Sequence, residues 1–258
     1  MEGPLTPGSL DPDAVLRLAE LIRGAGTVVA LTGAGISVPS GIPDFRSPGT
    51  GVWEDVDPME VAHIDAFRRD PRRFWSFYGQ RFHTLEDKEP NGAHRALAEL
   101  EARGKLDAVV TQNIDRLHGK AGSREVIEVH GTISTSSCLV CGQVRPLDDV
   151  RARLDAASDG VPRCDEGHPL KPDVVLFGEM LPAAAINRAF ELAASADVLL
   201  CIGSSLEVHP VAGLPGLTRQ TGGALAIVTQ GPTPYDRDAD VKLTGDVVTE
   251  LRALLDAL

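Results

Sequence analysis

Apolar residues along this chain fall into short, β-branched runs separated by segments of helical spacing, the alternation expected of an α/β fold on a parallel sheet. Thr27-Val28-Val29-Ala30-Leu31 reads as a central strand, because a strand covered on both faces has no polar side to show. Ala108-Val109-Val110 and Val126-Ile127 read as two more. Ahead of the first, Asp11-Pro12 offers a cap and then proline in the first turn, Val15, Leu18 and Ile22 form one stripe, and Gly24 ends the predicted helix. Downstream the pattern predicts a strand at 173–177, a helix at 183–195, a strand at 197–202, a helix at 208–220, a strand at 224–229, a short strand near 241–244 and a helix at 246–257. The alternation is broken twice. Residues 48–86 carry Trp53, Phe67, Phe74, Trp75, Phe77, Tyr78 and Phe82, divided into short helices by Pro58 and Pro71. Residues 134–170 hold Pro146, Pro162 and Pro169 and little period of either kind, which predicts a small, stapled insert. No internal repeat is present, and the first ten residues read as a loose tail.

Polar chemistry gathers where the strands end. Thr32-Gly33-Ala34-Gly35-Ile36-Ser37 follows the first strand, and its glycines can bring bare backbone N–H groups against a pyrophosphate. The usual dinucleotide fingerprint needs a third glycine where this chain has Val38, and then a helix where it has Pro39 and Pro43. An ordinary hydride-transfer site is therefore not expected. The loop instead delivers Asp44, Phe45 and Arg46 to whatever the glycines hold. Thr111-Gln112-Asn113-Ile114-Asp115 and Glu128-Val129-His130-Gly131 end the next two strands, so three segments converge on one crevice at the carboxyl edge of the sheet. His130 is a candidate base there, since an imidazole with a pKa of ~6.5 takes a hydroxyl proton at neutral pH without a large shift, although a lone histidine is more often a satisfied core residue.

Composition narrows the setting. With 258 residues the chain can bury one large core and a small insert, and nowhere is there an apolar run long enough to cross a bilayer. Met1 to Leu10 shows no basic patch followed by an apolar stretch, so a soluble, cytoplasmic protein is expected. A formal charge of −12 argues against a nucleic-acid surface and suits lysine-rich protein partners. Of the four cysteines, Cys138, Cys141 and Cys164 cluster, which without a secretion signal suggests metal. Cys138-x-x-Cys141 has the spacing that brings two thiolates to one tetrahedral zinc, with 22 residues before Cys164. Cys201, inside an apolar strand, reads as a small buried hydrophobe.

These segments, with Lys171-Pro172-Asp173-Val174-Val175-Leu176-Phe177-Gly178-Glu179 and Gly203-Ser204-Ser205-Leu206-Glu207-Val208-His209-Pro210, resemble the sirtuin family of NAD-dependent protein deacylases from about Thr27 to Asp246. The resemblance implies a Rossmann-like parallel sheet with helices on both faces, formed by 11–47, 87–133 and 171–258. Beside it would stand a small domain made of a helical insert, 48–86, and a zinc-ribbon-like insert, 134–170. It implies the activity too: NAD-dependent lysine deacetylation, in which the acyl group passes to ADP-ribose and nicotinamide is released.

The same resemblance assigns roles. His130 becomes the base toward the ribose, and Asn113, Asp115 and Gln112 hold the nicotinamide ribose and amide. Gly33, Ala34, Gly35, Asp44, Phe45, Arg46, Ile114, Gly203, Ser204, Ser205, Thr229 and Val247 complete the NAD contacts, Phe45 shielding the reaction centre and Arg46 meeting phosphate. Thr229 stands where the family usually has asparagine. Acyl-lysine proteins would pair as an extra strand between the segments around Val174 to Gly178 and Leu206 to Val208, with Val174 and Phe177 as tunnel walls. The family has a second Cys-x-x-Cys where this chain has Gly167, and His168 is the expected fourth ligand of a structural zinc, ahead of Asp165 and Glu166. Tyr78-x-x-Arg81 matches members that prefer succinyl or malonyl groups, so a desuccinylase or demalonylase is the first alternative. A mono-ADP-ribosyltransferase and a non-catalytic NAD or ADP-ribose sensor are the others.

Overall fold

A computed structural model describes residues 10–44 and 57–258, except for the side chains at positions 58, 80–83 and 86. The expected tail up to residue 9, the candidate contacts Phe45 and Arg46, Trp53, and the side chains of Arg81 and Phe82 lie outside the described residues. In chain order come α1 (Pro12–Gly24), β1 (Val28–Thr32), a 3-10 turn (Ala34–Ser40), α2 (Pro58–Val61), α3 (Ile64–Arg69), α4 (Pro71–Glu86), α5 (Gly92–Ala102) and β2 (Ala108–Thr111). Then follow α6 (Leu117–Ala121), β3 (Val126–Glu128), β4 (Gly131–Cys138), β5 (Val144–Pro146), α7 (Leu147–Ala156), β6 (Leu170–Val174) and α8 (Ala183–Ser195). The chain closes with β7 (Val198–Ile202), a 3-10 turn (Val211–Gly213), α9 (Leu214–Gln220), β8 (Ala224–Val228), β9 (Val241–Leu243) and α10 (Val247–Ala257).

The first helix starts as its sequence requires: the Asp11 carboxylate accepts from the N–H groups of Asp13 and Ala14, and Pro12 opens the first turn. Six strands form one sheet in the order β3-β2-β1-β7-β8-β9, with every neighbouring pair parallel. Period-2 alternation sends Val28 and Ala30 of β1 into one apolar core, with Leu18 and Ile22 of α1, Leu97 of α5 and Leu251 of α10. Val29 and Leu31 enter the opposite core, with Leu192 of α8 and Leu214 of α9. Covered on both faces, β1, β2 and β7 are buried at every position. The sheet grows one way through β1, β2 and β3 and the other way through β7, β8 and β9. Its order therefore reverses between β1 and β7, and a crevice at such a switch point is where open α/β sheets take ligands.

The two inserts form one small module with its own core. Phe67, Phe74 and Trp75 from the helical insert pack with Cys138, Val150, Cys164 and Leu170 from the second and with Ile133 just ahead of it, and the Trp75 indole N–H donates to the Leu170 carbonyl at 2.9 Å. Phe74 stacks on Tyr78 with centroids 4.5 Å apart.

Three expected elements need correction. The second insert is not without regular structure, since it contains most of β4, all of β5 and the helix α7. The Ser/Thr-rich Thr132 to Ser137 conceals the strand, which is held by its partners, and α7 buries only Leu147 and Val150. The strand expected at 173–177 lies at Leu170–Val174 and pairs antiparallel with β4 in a separate sheet of order β5-β4-β6. Beyond it the apolar run divides: Leu176 enters the small core while Phe177 bridges to His63 of the helical insert. The helix expected at 208–220 is a 3-10 turn followed by α9, the helix beginning only at Leu214 with Pro215 in its first turn.

Candidate active site and metal centre

The loops that follow β1 and β7 pack backbone against backbone. Gly33 N–H donates to the Ile202 carbonyl at 3.0 Å, and Gly35 N–H to the Gly203 carbonyl at 2.8 Å. A Cβ on Gly35 would come within 2.8 Å of Gly203, and one on Gly203, whose φ is +60°, within 2.3 Å of the Ile36 nitrogen. This corrects the expectation that both glycines offer free N–H groups to a pyrophosphate: those two are engaged within the chain, and the glycines are needed for the close approach of the loops. Ala34 and Gly35 remain partly exposed above the switch point, as do Ser204 and Ser205. Gln112 joins the two sides by donating its amide to the Ser204 hydroxyl at 2.9 Å.

Under this lip lies a buried polar network. The Asn113 amide donates to the Gly33 carbonyl and to the Ser37 hydroxyl, both at 3.1 Å, and Ser37 in turn donates to one Asp115 oxygen at 2.6 Å. The other Asp115 oxygen accepts from Leu117 N–H at 2.9 Å. Burial raises the Asp115 pKa, and its bond from Ser37 pulls the other way. Ser37 also meets His94 at 3.3 Å, while His118 contacts the Thr32 hydroxyl at 2.9 Å. Burial holds His94 at about 4 and His118 at about 3. The sequence reads both imidazoles as structural, and both are buried. Ser37 lies inside the glycine loop, and its spacing from Gly35 is the one signal that marks it. His118 Nδ1 is buried without a protein partner, beside a cavity of about 10 Å³ lined by Thr111, Asn113, Asp115 and Glu128, room for one water.

His130 sits in the turn between β3 and β4. Its Nδ1 lies 3.0 Å from the Gln112 carbonyl, which can only accept, so Nδ1 carries the proton and Nε2 keeps a free lone pair. Burial lowers its pKa and the Gln112 bond raises it, with burial the larger effect. The imidazole is thus neutral and base-ready at pH 7. Gly131 follows at φ +75°, where a Cβ would lie 2.1 Å from the Asp173 carbonyl, so the catalytic candidate is tied directly to β6. Of the other expected contacts, Asp44 is partly buried, Ile114 packs against the small core, Thr229 closes β8 with its N–H on the Leu243 carbonyl, and Val247 opens α10.

On the substrate side Phe177 is half exposed and Gly178 is exposed, whereas Val174 is buried in the small core. Val174 therefore packs beneath the segment as part of that core. The N–H groups of Val175 and Phe177 go to the carbonyls of His130 and Ala62, and that of Leu176 to the Glu179 carboxylate. Tyr78 is held by its stack on Phe74 as part of the small core.

The four expected metal ligands converge: Cys138, Cys141, Cys164 and His168 place their donor atoms within 4.8 Å of one another. Cys141 and Cys164 sulfurs are 3.7 Å apart, and Cys164 sulfur is 3.9 Å from His168 Nδ1. A tetrahedral zinc with bonds of about 2.3 Å sets thiolates about 3.8 Å apart, so this donor set fits the ion. Val140 and Cys141 N–H groups point at Cys138 sulfur, at 3.4 and 3.5 Å, as a thiolate ligand requires. Gly167 is the left-handed residue of the second turn, at φ +84°, so the chain needs glycine there and reaches the site with the next side chain.

Fold, crevice and closed Cys₃His set define a nucleotide-handling α/β enzyme with a metal-stapled small module. The Sir2 family profile matches residues 33–210. A relative named NAD-dependent protein deacetylase, from Sulfolobus acidocaldarius, is 46% identical over 225 residues, 87% of each chain. A solved complex of a Sir2 protein with a p53 peptide and NAD+ superposes with a TM-score of 0.86 at 40% identity, covering 93% of this chain and 96% of the other. Another, with a deacetylated p53 peptide and 3'-O-acetyl ADP-ribose, gives 0.88 at the same identity and coverage. The chain belongs to the Sir2 family.

Proposed function

We infer that this chain is an NAD-dependent protein lysine deacetylase. The observation that carries the reading is His130: a neutral imidazole whose Nδ1–H is committed to Gln112, leaving Nε2 free at the mouth of the switch-point crevice. Bound NAD would supply the nicotinamide–ribose bond whose cleavage draws the acyl group from lysine to ADP-ribose. The protein's part is to hold and to move one proton. Nε2 of His130 takes it from a ribose hydroxyl, and Asn113 and Asp115, fixed through Ser37, hold the nicotinamide end. Gln112, Ser204 and Ser205 clasp the ribose and phosphates, with Asp44, Phe45 and Arg46 closing over the site and Thr229 and Val247 toward the adenosine. Peptide substrates would add a strand between the segments around Val174 to Gly178 and Leu206 to Val208.

Zinc would be structural, since all four ligands come from the protein and none of its positions is open. The division into 11–47, 87–133 and 171–258 for NAD and 48–86 with 134–170 for the module follows the same reading, with β6 as the strand that ties them. Three thiolates kept for zinc and the buried thiol of Cys201 fit a reducing, cytoplasmic setting. Among the described residues no helix is long and apolar enough to cross a membrane. The acidic balance, −12, disfavours nucleic acid.

Mass spectrometry of acetyl- and succinyl-lysine peptides incubated with NAD tests the reading. Acyl loss that requires NAD is expected, fastest with acetyl, and His130→Ala should lower it by about 10²–10⁴-fold. Acyl loss without NAD would sink the assignment, and ADP-ribose gain on the peptide would replace it with transferase chemistry. The pH profile of kcat/KM should fall toward acid as His130 protonates, with a midpoint below ~6.5 because burial disfavours its cation.

A further inference from the structure

Lys171 is buried, 6% exposed, beside the mainly apolar core of the small module. Its Nζ has three acceptors: the Pro172 carbonyl at 2.8 Å, the Val174 carbonyl at 2.9 Å and a Glu179 carboxylate oxygen at 3.0 Å. An ammonium has three donors, so it is fully satisfied. The same Glu179 oxygen accepts the Leu176 N–H at 3.0 Å. The peptide plane between Val174 and Val175 is thereby gripped from both sides, its carbonyl by the ammonium and its N–H by the carbonyl of His130 at 2.8 Å. Two residues on, the Phe177 N–H donates to the Ala62 carbonyl and the Phe177 carbonyl accepts from the Ile64 N–H, both of the helical insert.

We propose that Lys171 and Glu179 are positioning residues, a buried clamp that holds the Val174–Gly178 segment in register with His130 and so sets where an acyl-lysine meets the imidazole. The inference rests on the deacetylase reading above. An apolar pair of similar volume would sit in this core at lower desolvation cost, and what the ion pair adds is direction. A cation with three fixed acceptors sets backbone groups on both sides of a bend at once, which packed methyl groups do not.

The test uses the zinc-loaded chain with NAD and an acetyl-lysine peptide, each varied while the other is at saturation. Lys171→Met and Glu179→Gln should each raise the peptide KM about tenfold or more while the KM for NAD moves less than about twofold. Lys171→Arg keeps the charge but replaces a compact ammonium by a larger planar fork, so it should recover only part of the loss. The double variant Lys171→Met/Glu179→Leu controls for folding, because removing both charges spares the core an unpaired ion. It should melt near the wild-type temperature and still show the raised peptide KM. A double variant that folds and binds peptide like wild type overturns the proposal, leaving the pair a merely structural role. Amide hydrogen exchange is a readout independent of turnover: protection at Val175 and Leu176 should fall in Glu179→Gln, and unchanged protection also overturns it. A wild-type chain that removes no acyl group with NAD present would fail the deacetylase reading, while the exchange result still decides the clamp.

Discussion

His94 and His118 lie with ring centroids 4.9 Å apart beneath the glycine loop, and neither is exposed enough to be charged. Folding lowers their pKa values from ~6.5 to about 4 and about 3, mainly by burial, so between those limits the unfolded chain binds more protons than the folded one. The stability they allow is complete above about pH 6.5 and is lost progressively as the pH falls toward 4. Asp115, Glu128 and Glu250, raised by burial, act in the opposite sense, favouring the folded chain as carboxyls protonate. The difference between variants therefore isolates the imidazoles. Denaturant midpoints of His94→Gln should decline less than wild type from about pH 6.5 to about pH 4, and parallel curves would contradict this account. Gly203 makes a second case. Its left-handed φ of +60° and the 2.3 Å contact that a Cβ would make with Ile36 predict that Gly203→Ala destabilises by at least about 2 kcal/mol, read as a lower denaturant midpoint at unchanged slope.

At the scale of elements, the β5-β4-β6 sheet depends on its staple. Cys138 ends β4 opposite Leu170, and Cys164 and His168 stand in the hairpin that leads into β6, so one ion would staple the strands together at one end of a short sheet. A structural zinc contributes folding free energy outright. Chelation should therefore melt this module and, through β6, disturb the segment that carries Val175 and the His130 carbonyl. The expected observation is loss of peptide turnover together with a lower melting temperature, with zinc released in stoichiometric amount. His168→Ala should lose the metal to a competing chelator that the wild type resists, and stoichiometric zinc in that variant would reject the fourth ligand. Both losses pass through the three-stranded sheet, since the six-stranded sheet has its own two cores.

For the molecule as a whole, 37 acidic residues against 25 basic ones give a field that attracts cationic peptides. For acetyl-lysine peptides flanked by lysine and arginine, kcat/KM should fall several-fold between about 0.05 and about 0.5 M salt, as the Debye length shortens, and stay nearly flat for neutral peptides. Equal salt responses would remove charge from substrate choice. Much of this architecture was readable along the chain, because strands buried on both faces need uninterrupted apolar runs and crevice chemistry must follow the strand that delivers it: β1, β2 and β7, the glycine loops, Asn113, Asp115, His130 and the cysteine pair all sit where local pattern puts them. Even Gly167 and His168 were legible as a departure with a substitute. Other features were decided only when distant segments met. Strand β4 owes its existence to partners rather than to a polar Ser/Thr run, and β6 left the parallel sheet because its hydrogen bonds were taken by β4. Engagement of the Gly33 and Gly35 N–H groups and the Ser37 hub depend on contacts across tens of residues, while Lys171 and Glu179, eight positions apart, pair only because the fold buries them together. Local periodicity records which side of an element is dry; hydrogen-bond partners and charge pairs exist only once the chain has closed on itself.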